Sequence, residues 1–492
     1  MLYNTYFLNR DLLKQNKENF GFSLRPDFNQ VKEDCKAFHP NRLIYSLQDN
    51  DNNDRFDGNL VYPANNFYDF PKSGGKVKLV FGSNSSKVVV LQEDQCSIFN
   101  SYITTENQQI LQATVGTNQI FNPNIPSQYI KTDLGYAGSQ TSAYVSTEFG
   151  SYWVDNKRGQ IFNYGETIQN IISEENAWWF KENLPFQILK YFPDVDIDNS
   201  FKYFGMSVIY DQRFKRILFT KKDYKPHAEF RDKIKFSNNV FTYNDAIIEP
   251  TNSTYFCDCS WTIGYSPLQK EFISFYSYTP NYYVSTNSYF SSGINYSEDK
   301  SELGLWNHSL NYSSYQVFYG KIYPFLFQYS LNGYNNEILQ SISYKSEFRR
   351  YTNELNFFVK NDVTYSNAEI WNQNQTSGIL NLIIKQPNNL LQQISYPKQN
   401  GNSTDILVSN VENIFRFNQF YDVSLQNGYP LMTYECNPVY PQVNLKAISY
   451  QPTFLKNSLR GDYFNVRLIN NKLSNYQIIH QFNLNQETPS QT

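Results

Sequence analysis

One supersecondary unit recurs along this chain, and its spacing limits what the chain can fold into. SYWVDNKRGQIFNY (151–164), SVIYDQRFKRILFT (207–220) and SWTIGYSPLQKEFISFY (260–276) each read as an aromatic strand, a short turn and a second aromatic strand. Looser copies flank them, KVVVLQEDQCSIF (87–99) before and VFYGKIYPFLFQY (317–329) after. With Val89, Trp153, Ile209, Ile263 and Ile322 as equivalent points, the steps are 64, 56, 54 and 59 residues. A hairpin repeating at such a period predicts an all-β, propeller-like (toroidal) array of hairpin blades, in which no unit buries its own face alone. The expected array spans 61–345, after an Asn/Asp/Lys-rich arm or linker at 1–60. Beyond it the hairpin spacing becomes less regular, and 346–485 reads as a second, sandwich-like β domain with a frayed tail at 486–492.

One segment breaks the strand grammar. ISEENAWWFKENLPFQILKYF predicts a short broken helix over about 172–192. Ser173 is its expected N-cap, acids occupy its first turn, and Pro185 interrupts it. Asn183 is the expected cap of a second short helix running to Tyr191.

Tyr (41) and Phe (39) raise aromatics to 17% while charged residues fall to 18%, against about 25% in an average chain. Tyrosine combines an apolar body with a polar tip, which suits strands and contacts between neighbours. The net charge of −3 supplies no basic field toward nucleic acid or anionic membrane. Cys35, Cys96, Cys257, Cys259 and Cys436 are odd in number and scattered, which favours buried reduced thiols in a chain made in a reducing cytoplasm. The sequence has no apolar run of membrane-spanning length.

Four widely spaced histidines give no metal-ligand spacing, and no metal site or cofactor is expected. Glu148, Asp155, Glu166, Asp211 and Glu271 fall at strand ends or turns, where two of them could pair across a sugar as in a glycosidase. For Asp155 and Asp211 the local reading is a turn role, since each opens a hairpin turn where a carboxylate bonds the following backbone. From Arg213 to Lys235 nine Lys/Arg stand against three acids. Arg213, Lys215, Arg216, Lys221 and Lys222 are therefore candidates for contact with DNA or a partner, with solvated strand faces that blunt a sheet edge as the alternative.

Taken in order, FHPNRLIYS (38–46), ANNFYDFPKSGGKV (64–77), TDLGYAGSQ (132–140), STEFGSYWVDNKRGQIF (146–162), WWFKENLPFQIL (178–189), YDQRFKRILFTKKDY (210–224), SWTIGYSPLQKEFISFYSYTPN (260–281), LWNH (305–308), FYGKIYPFLFQY (318–329) and LRGDYFNVRL (459–468) form a series. The series resembles the packaged-DNA stabilisation, or tail hub (muzzle), proteins of crAss-like and related short-tailed phages. Members of that family often carry a longer N-terminal part than the stretch before Phe38 here. The resemblance implies a non-enzymatic virion structural protein of the phage tail, assembled in the host cytoplasm. Such a protein forms a cyclic homo-oligomeric ring below the portal, beside other tail proteins such as portal-side rings and fibres. Double-stranded DNA would pass through its lumen without sequence specificity, retained until ejection. It implies no catalytic residue. The structural positions expected to matter are Trp153, Asp155, Arg158 and Gly159 in one hairpin, Tyr210 and Asp211 in the next, and Trp261, Tyr265 and Pro267 in the third, with their turns on one rim. The competing reading is a glycan-binding or receptor-binding β module, and behind it a propeller glycosidase.

Overall fold

The structure is a computed structural model that describes residues 38–46, 62, 66–82, 87–100, 103–104, 110–111, 127–128, 140–286, 289–296, 303–308, 317–351, 356–360, 362–384, 399–400, 403–418, 421–422, 458–470 and 477–481. They are mostly β-strand, arranged in many small antiparallel sheets with one α-helix. No closed barrel or propeller is present among them. No helix among them is long and apolar enough to cross a membrane.

Four sheets follow one another in chain order. Sheet 1 contains Val77–Gly82, Lys87–Gln92, Cys96–Asn100 and Ser127–Gln128, and sheet 2 contains Tyr144–Thr147, Gly150–Asp155, Gln160–Tyr164 and Ile168–Asn170. Sheet 3 runs Gly205–Asp211, Arg216–Lys222, Trp261–Ser266 and Glu271–Tyr276, and sheet 4 is Tyr282–Ser285, Phe290–Ile294 and Gly304–Asn307. Alternate side chains of a strand point to opposite faces, and here both faces are used. Val89, Leu91 and Ile98 of sheet 1 meet Trp153, Phe162 and Tyr164 of sheet 2 in one core. The intervening Tyr152, Val154 and Ile161 turn the other way and meet Val208, Ile217, Phe219 and Ile263 of sheet 3. Ile209 and Leu218 again face the far side, against Phe290 of sheet 4 and the buried Tyr278 and Tyr319. Strands buried on both faces read as near-continuous apolar runs, which is why the hairpins are so aromatic. On the outer face of sheet 1, Val90 and Phe99 are covered by Phe70, Leu43 and Tyr68 around the small hairpin of Arg42–Ile44 and Phe67–Asp69.

The hairpins do not each make a sheet of their own. The second and third pair directly, Arg216–Lys222 against Trp261–Ser266, with Phe219 opposite Ile263. After each forms its own turn it has a free edge, and joining the edges satisfies both rows of backbone groups. The segment between them makes a side lobe, with Tyr224–Pro226 paired to Phe256–Asp258 and a three-stranded sheet of Lys235–Ser237, Val240–Tyr243 and Ala246–Ile248. The fifth copy is divided: Val317–Phe318 and Lys321–Ile322 form a minimal hairpin through Tyr319 and Gly320, both at positive φ. Phe325–Ile338 then enters the C-terminal sheet, which takes up its first strand ahead of residue 346. That ten-stranded sheet has a single core, in which Tyr344, Phe415 and Phe417 meet Ile370, Leu380, Phe464 and Leu468.

Helix α1, Glu174–Asn183, starts after Ser173 as expected, but the serine side chain makes no cap bond. Only Phe180 of the helix is buried, and Trp178 is 72% exposed. Pro185 does follow its end, and a 3-10 turn, Ile188–Lys190, comes next. Asn183 does not cap that turn, because its side chain donates back to the Trp179 carbonyl. Cys96 and Cys259 are free and buried, whereas Cys257 is disulfide-bonded, against the expectation of reduced thiols throughout. Of the arm or linker expected at 1–60, residues 38–46 are described and place Arg42–Ile44 in a strand paired with Phe67–Asp69, while 1–37, 47–60 and the tail at 486–492 lie outside the described residues.

Candidate functional site

The three central hairpins share one turn chemistry. Asp155 pairs with Gln160, Asp211 with Arg216 and Ser266 with Glu271, so each turn holds four residues. The last strand residue supplies a side-chain oxygen to the loop backbone. Asp155 Oδ1 accepts from Arg158 N–H (3.3 Å), Asp211 Oδ1 from Arg213 N–H (3.2 Å), and Ser266 Oγ from Gln269 N–H (3.3 Å). The fourth loop residue is left-handed in all three, Gly159 (φ 68°), Lys215 (φ 50°) and Lys270 (φ 59°). Asp155 and Asp211 were legible as turn acceptors. Ser266 was not, although a hydroxyl followed by Pro267 is an alternative way to open such a turn. Gly159 has a second constraint: a Cβ there would stand 2.9 Å from Lys181 Cα of the helix.

Both aspartates are buried and paired. Asp155 receives Arg158 Nη1 at 3.0 Å, and Asp211 receives Arg216 Nε at 2.9 Å. Burial raises the Asp155 carboxyl above its ordinary value, with Arg158 working against the rise. Burial also opposes the charge on Arg216, but Tyr276 and Asp211 outweigh it and hold the guanidinium above its usual value. Tyr276 supplies a hydroxyl acceptor at 2.7 Å. The large aromatic positions are core: Trp153 lies between sheets 1 and 2, while Trp261 and Tyr265 face sheet 2.

The second and third turns project from the same end of sheet 3, since Ile217, next to the first of them, pairs with Tyr265, next to the other. The loop before Gly150–Asp155 joins them there. Glu148 accepts from Lys215 Nζ (2.6 Å) and from Tyr210 OH (3.0 Å). Lys215 and then Tyr210 hold the Glu148 carboxyl below its ordinary range. Phe214 (54% exposed) and Leu268 (65%) stand beside exposed Arg213, so this end presents apolar and cationic groups together. The first hairpin's turn is elsewhere: Gly150–Asp155 leads away from Glu148, so residues 156–159 sit at the opposite end of sheet 2. Two of the three turns share a rim, and the first does not.

The basic segment divides. Arg213 and Lys215 reach the surface, and Arg216 is partly exposed while held by Asp211. Lys221 and Lys222 are 1% and 7% exposed, so the expectation that they touch DNA or a partner is corrected. Nor does their strand blunt an edge, because it is an inner strand of sheet 3. Lys221 reaches inward, where its ammonium donates to the carbonyls of Asn183 (2.9 Å) and Pro185 (2.8 Å) and to Asp223 Oδ2 (2.7 Å). Asp223 in turn accepts from Gln187 N–H (2.7 Å) and Ile188 N–H (3.4 Å), so it performs the capping expected of Asn183. Burial raises the Asp223 carboxyl, and Lys221 is the first of the groups that oppose the rise. Trp261 Nε1 completes the cluster at the Asn183 carbonyl (3.3 Å). A buried ion pair thus clasps the break between α1 and the following turn onto sheet 3.

His308, one of the four histidines, is buried and stacked on Phe290 with ring centroids 4.5 Å apart. Its Nε2 lies 2.6 Å from Ser292 Oγ, which also bonds the Tyr319 hydroxyl at 2.7 Å. Burial first, then the charge of Arg216, pushes its pKa down to about 4. No protein-family model matches the chain, and no curated protein sequence matches it.

Proposed function

We propose that this chain is a structural protein of a short-tailed phage virion, forming a ring in the tail hub or muzzle below the portal. The ring extends the DNA channel and helps retain and release packaged DNA. The observation that carries this reading is the ordered series of ten landmark segments between Phe38 and Leu468 that resembles that family. The architecture is compatible with it. Small antiparallel sheets in chain order, each sharing a core with the next, support reading them as units of a toroidal array. In this reading the copies meet head to tail with a rotation that closes, which makes the assembly a cyclic homo-oligomer. The end of sheet 3 that bears Arg213, Lys215, Phe214 and Leu268 is the surface assigned to neighbouring tail proteins. A chain of net charge −3 holds passing DNA weakly and without sequence preference, as a conduit requires.

Immunogold microscopy of intact phage with antibody to this chain tests the reading. Label confined to the tail vertex is expected; label on cell surfaces, or none on particles, would overturn it. A glycan- or receptor-binding module is the second reading, and one observation favours it, an aromatic-walled cavity with under-bonded polar groups.

A further inference from the structure

A cavity of about 470 Å³ lies between the side lobe and the segments around sheet 4, within the size range of small-molecule sites. Lys222 lines it, and its situation is unlike that of Lys221 next door. Its ammonium has only long bonds to the Thr279 carbonyl (3.3 Å) and the Thr279 hydroxyl (3.4 Å). Neither is a carboxylate, and burial pushes its pKa down. Asp258 on the same wall opposes that fall, but no carboxylate bonds the ammonium directly, and a group that does so from the cavity gains energy on binding. A second wall group is also unsatisfied: Thr251 Oγ1 is buried without a hydrogen-bond partner. Tyr224, Tyr319 and Tyr323 add aromatic surface to the same walls.

We propose that this cavity binds an acidic monosaccharide, a hydroxylated ring carrying one carboxylate, with Lys222 receiving the carboxylate and Thr251 a ring hydroxyl. The carboxylate gives the ammonium a direct charge-assisted bond in place of the two long ones. Tyr224 and Tyr323 offer apolar surface to the C–H face of a sugar ring, while the Tyr319 hydroxyl is held by Ser292. Two other ionisable groups line the cavity. His227 has its ring engaged with the Ser253 carbonyl (3.0 Å) and beside Cys257 Sγ (3.3 Å). Asp258, whose Oδ1 accepts from Ser260 N–H (2.8 Å), places a negative charge on the same wall and disfavours a dianion such as phosphate. The site does not depend on whether the chain forms a ring.

Calorimetric titration of the full chain with D-glucuronate, D-glucose and inorganic phosphate tests this, using wild type, Lys222→Met and Thr251→Val. Glucuronate should bind wild type and bind Lys222→Met at least roughly tenfold more weakly, the loss of one charge-assisted hydrogen bond. The melting temperature of Lys222→Met should be unchanged or higher, because the variant removes a buried charge that no carboxylate bonds directly. Thr251→Val should weaken glucuronate severalfold, and glucose should bind more weakly than glucuronate. Tighter binding of a hexuronate oligosaccharide would assign the ligand to a polymer, and equal binding to the free sugar. Absence of glucuronate binding, equal affinity in Lys222→Met, or displacement of glucuronate by equimolar phosphate would overturn the proposal.

Discussion

The clasp at the helix break makes a quantitative prediction. Lys221 and Asp223 are both fully buried and share a bond of 2.7 Å, and each also satisfies backbone groups of the 183–188 segment. Asp223→Asn keeps the shape but leaves the ammonium with two carbonyls and no counter-charge. Lys221→Met strips the Asn183 and Pro185 carbonyls of a donor and leaves the carboxylate with backbone N–H groups alone. Breaking a buried pair from one side costs about 3–5 kcal/mol, most of it for the stranded charge. The double variant strands neither charge, so its cost should fall short of the sum of the singles by about 2–3 kcal/mol. Urea unfolding followed by tryptophan fluorescence reads this locally, since Trp261 donates to the Asn183 carbonyl and Trp179 packs on Trp261 with centroids 5.3 Å apart. Singles costing less than about 1 kcal/mol, or a strictly additive double, would refute the clasp as an electrostatic unit.

Other expectations follow from the turns and from His308. Gly159→Ala should destabilise by about 2 kcal/mol, because it adds a Cβ both at positive φ and against the helix backbone; thermal melts check it. Lys270→Gly, at the equivalent position of the third turn, should instead stabilise by about 0.5 kcal/mol by relieving left-handed strain. His308 has a folded pKa of about 4 against 6.5 when free, so the unfolded chain takes up the proton first as pH falls. Its contribution is complete above about pH 6.5 and is lost progressively toward pH 4, about 2 kcal/mol of it by pH 5. His308→Gln should flatten the stability profile between pH 7 and 5, and an unchanged slope in denaturant titrations would count against the assignment.

The sequence carried the local grammar and concealed the non-local pairing. Asp155, Asp211 and Gly159 were readable because a turn is made by residues a few positions apart. The alternation that places Trp153 on one face and Tyr152 and Val154 on the other is likewise a property of adjacent residues. Nothing local announces that the second and third hairpins pair with each other, since that depends on two free edges meeting across the 224–258 lobe. Lys221 and Lys222 misled because a lysine in a basic run reads as solvated. What decides its burial is the position of carbonyls and of Asp223 in the folded chain, information that composition lacks. Asp223 as a cap for Gln187 and Ile188 was equally hidden, because capping rules look one turn ahead and not 36 residues away.

The succession of cores has a mechanical consequence. Each sheet shares its apolar contacts with its immediate neighbours, so cohesion passes along the pile as through a stack of coins, by nearest-neighbour terms that add. A stack of this kind fails first at its ends, where a layer has one partner instead of two. The small hairpin of Arg42–Ile44 and Phe67–Asp69 is the lid on one such end: prising it off would bare Val90 and Phe99 and leave sheet 1 as the next layer to peel.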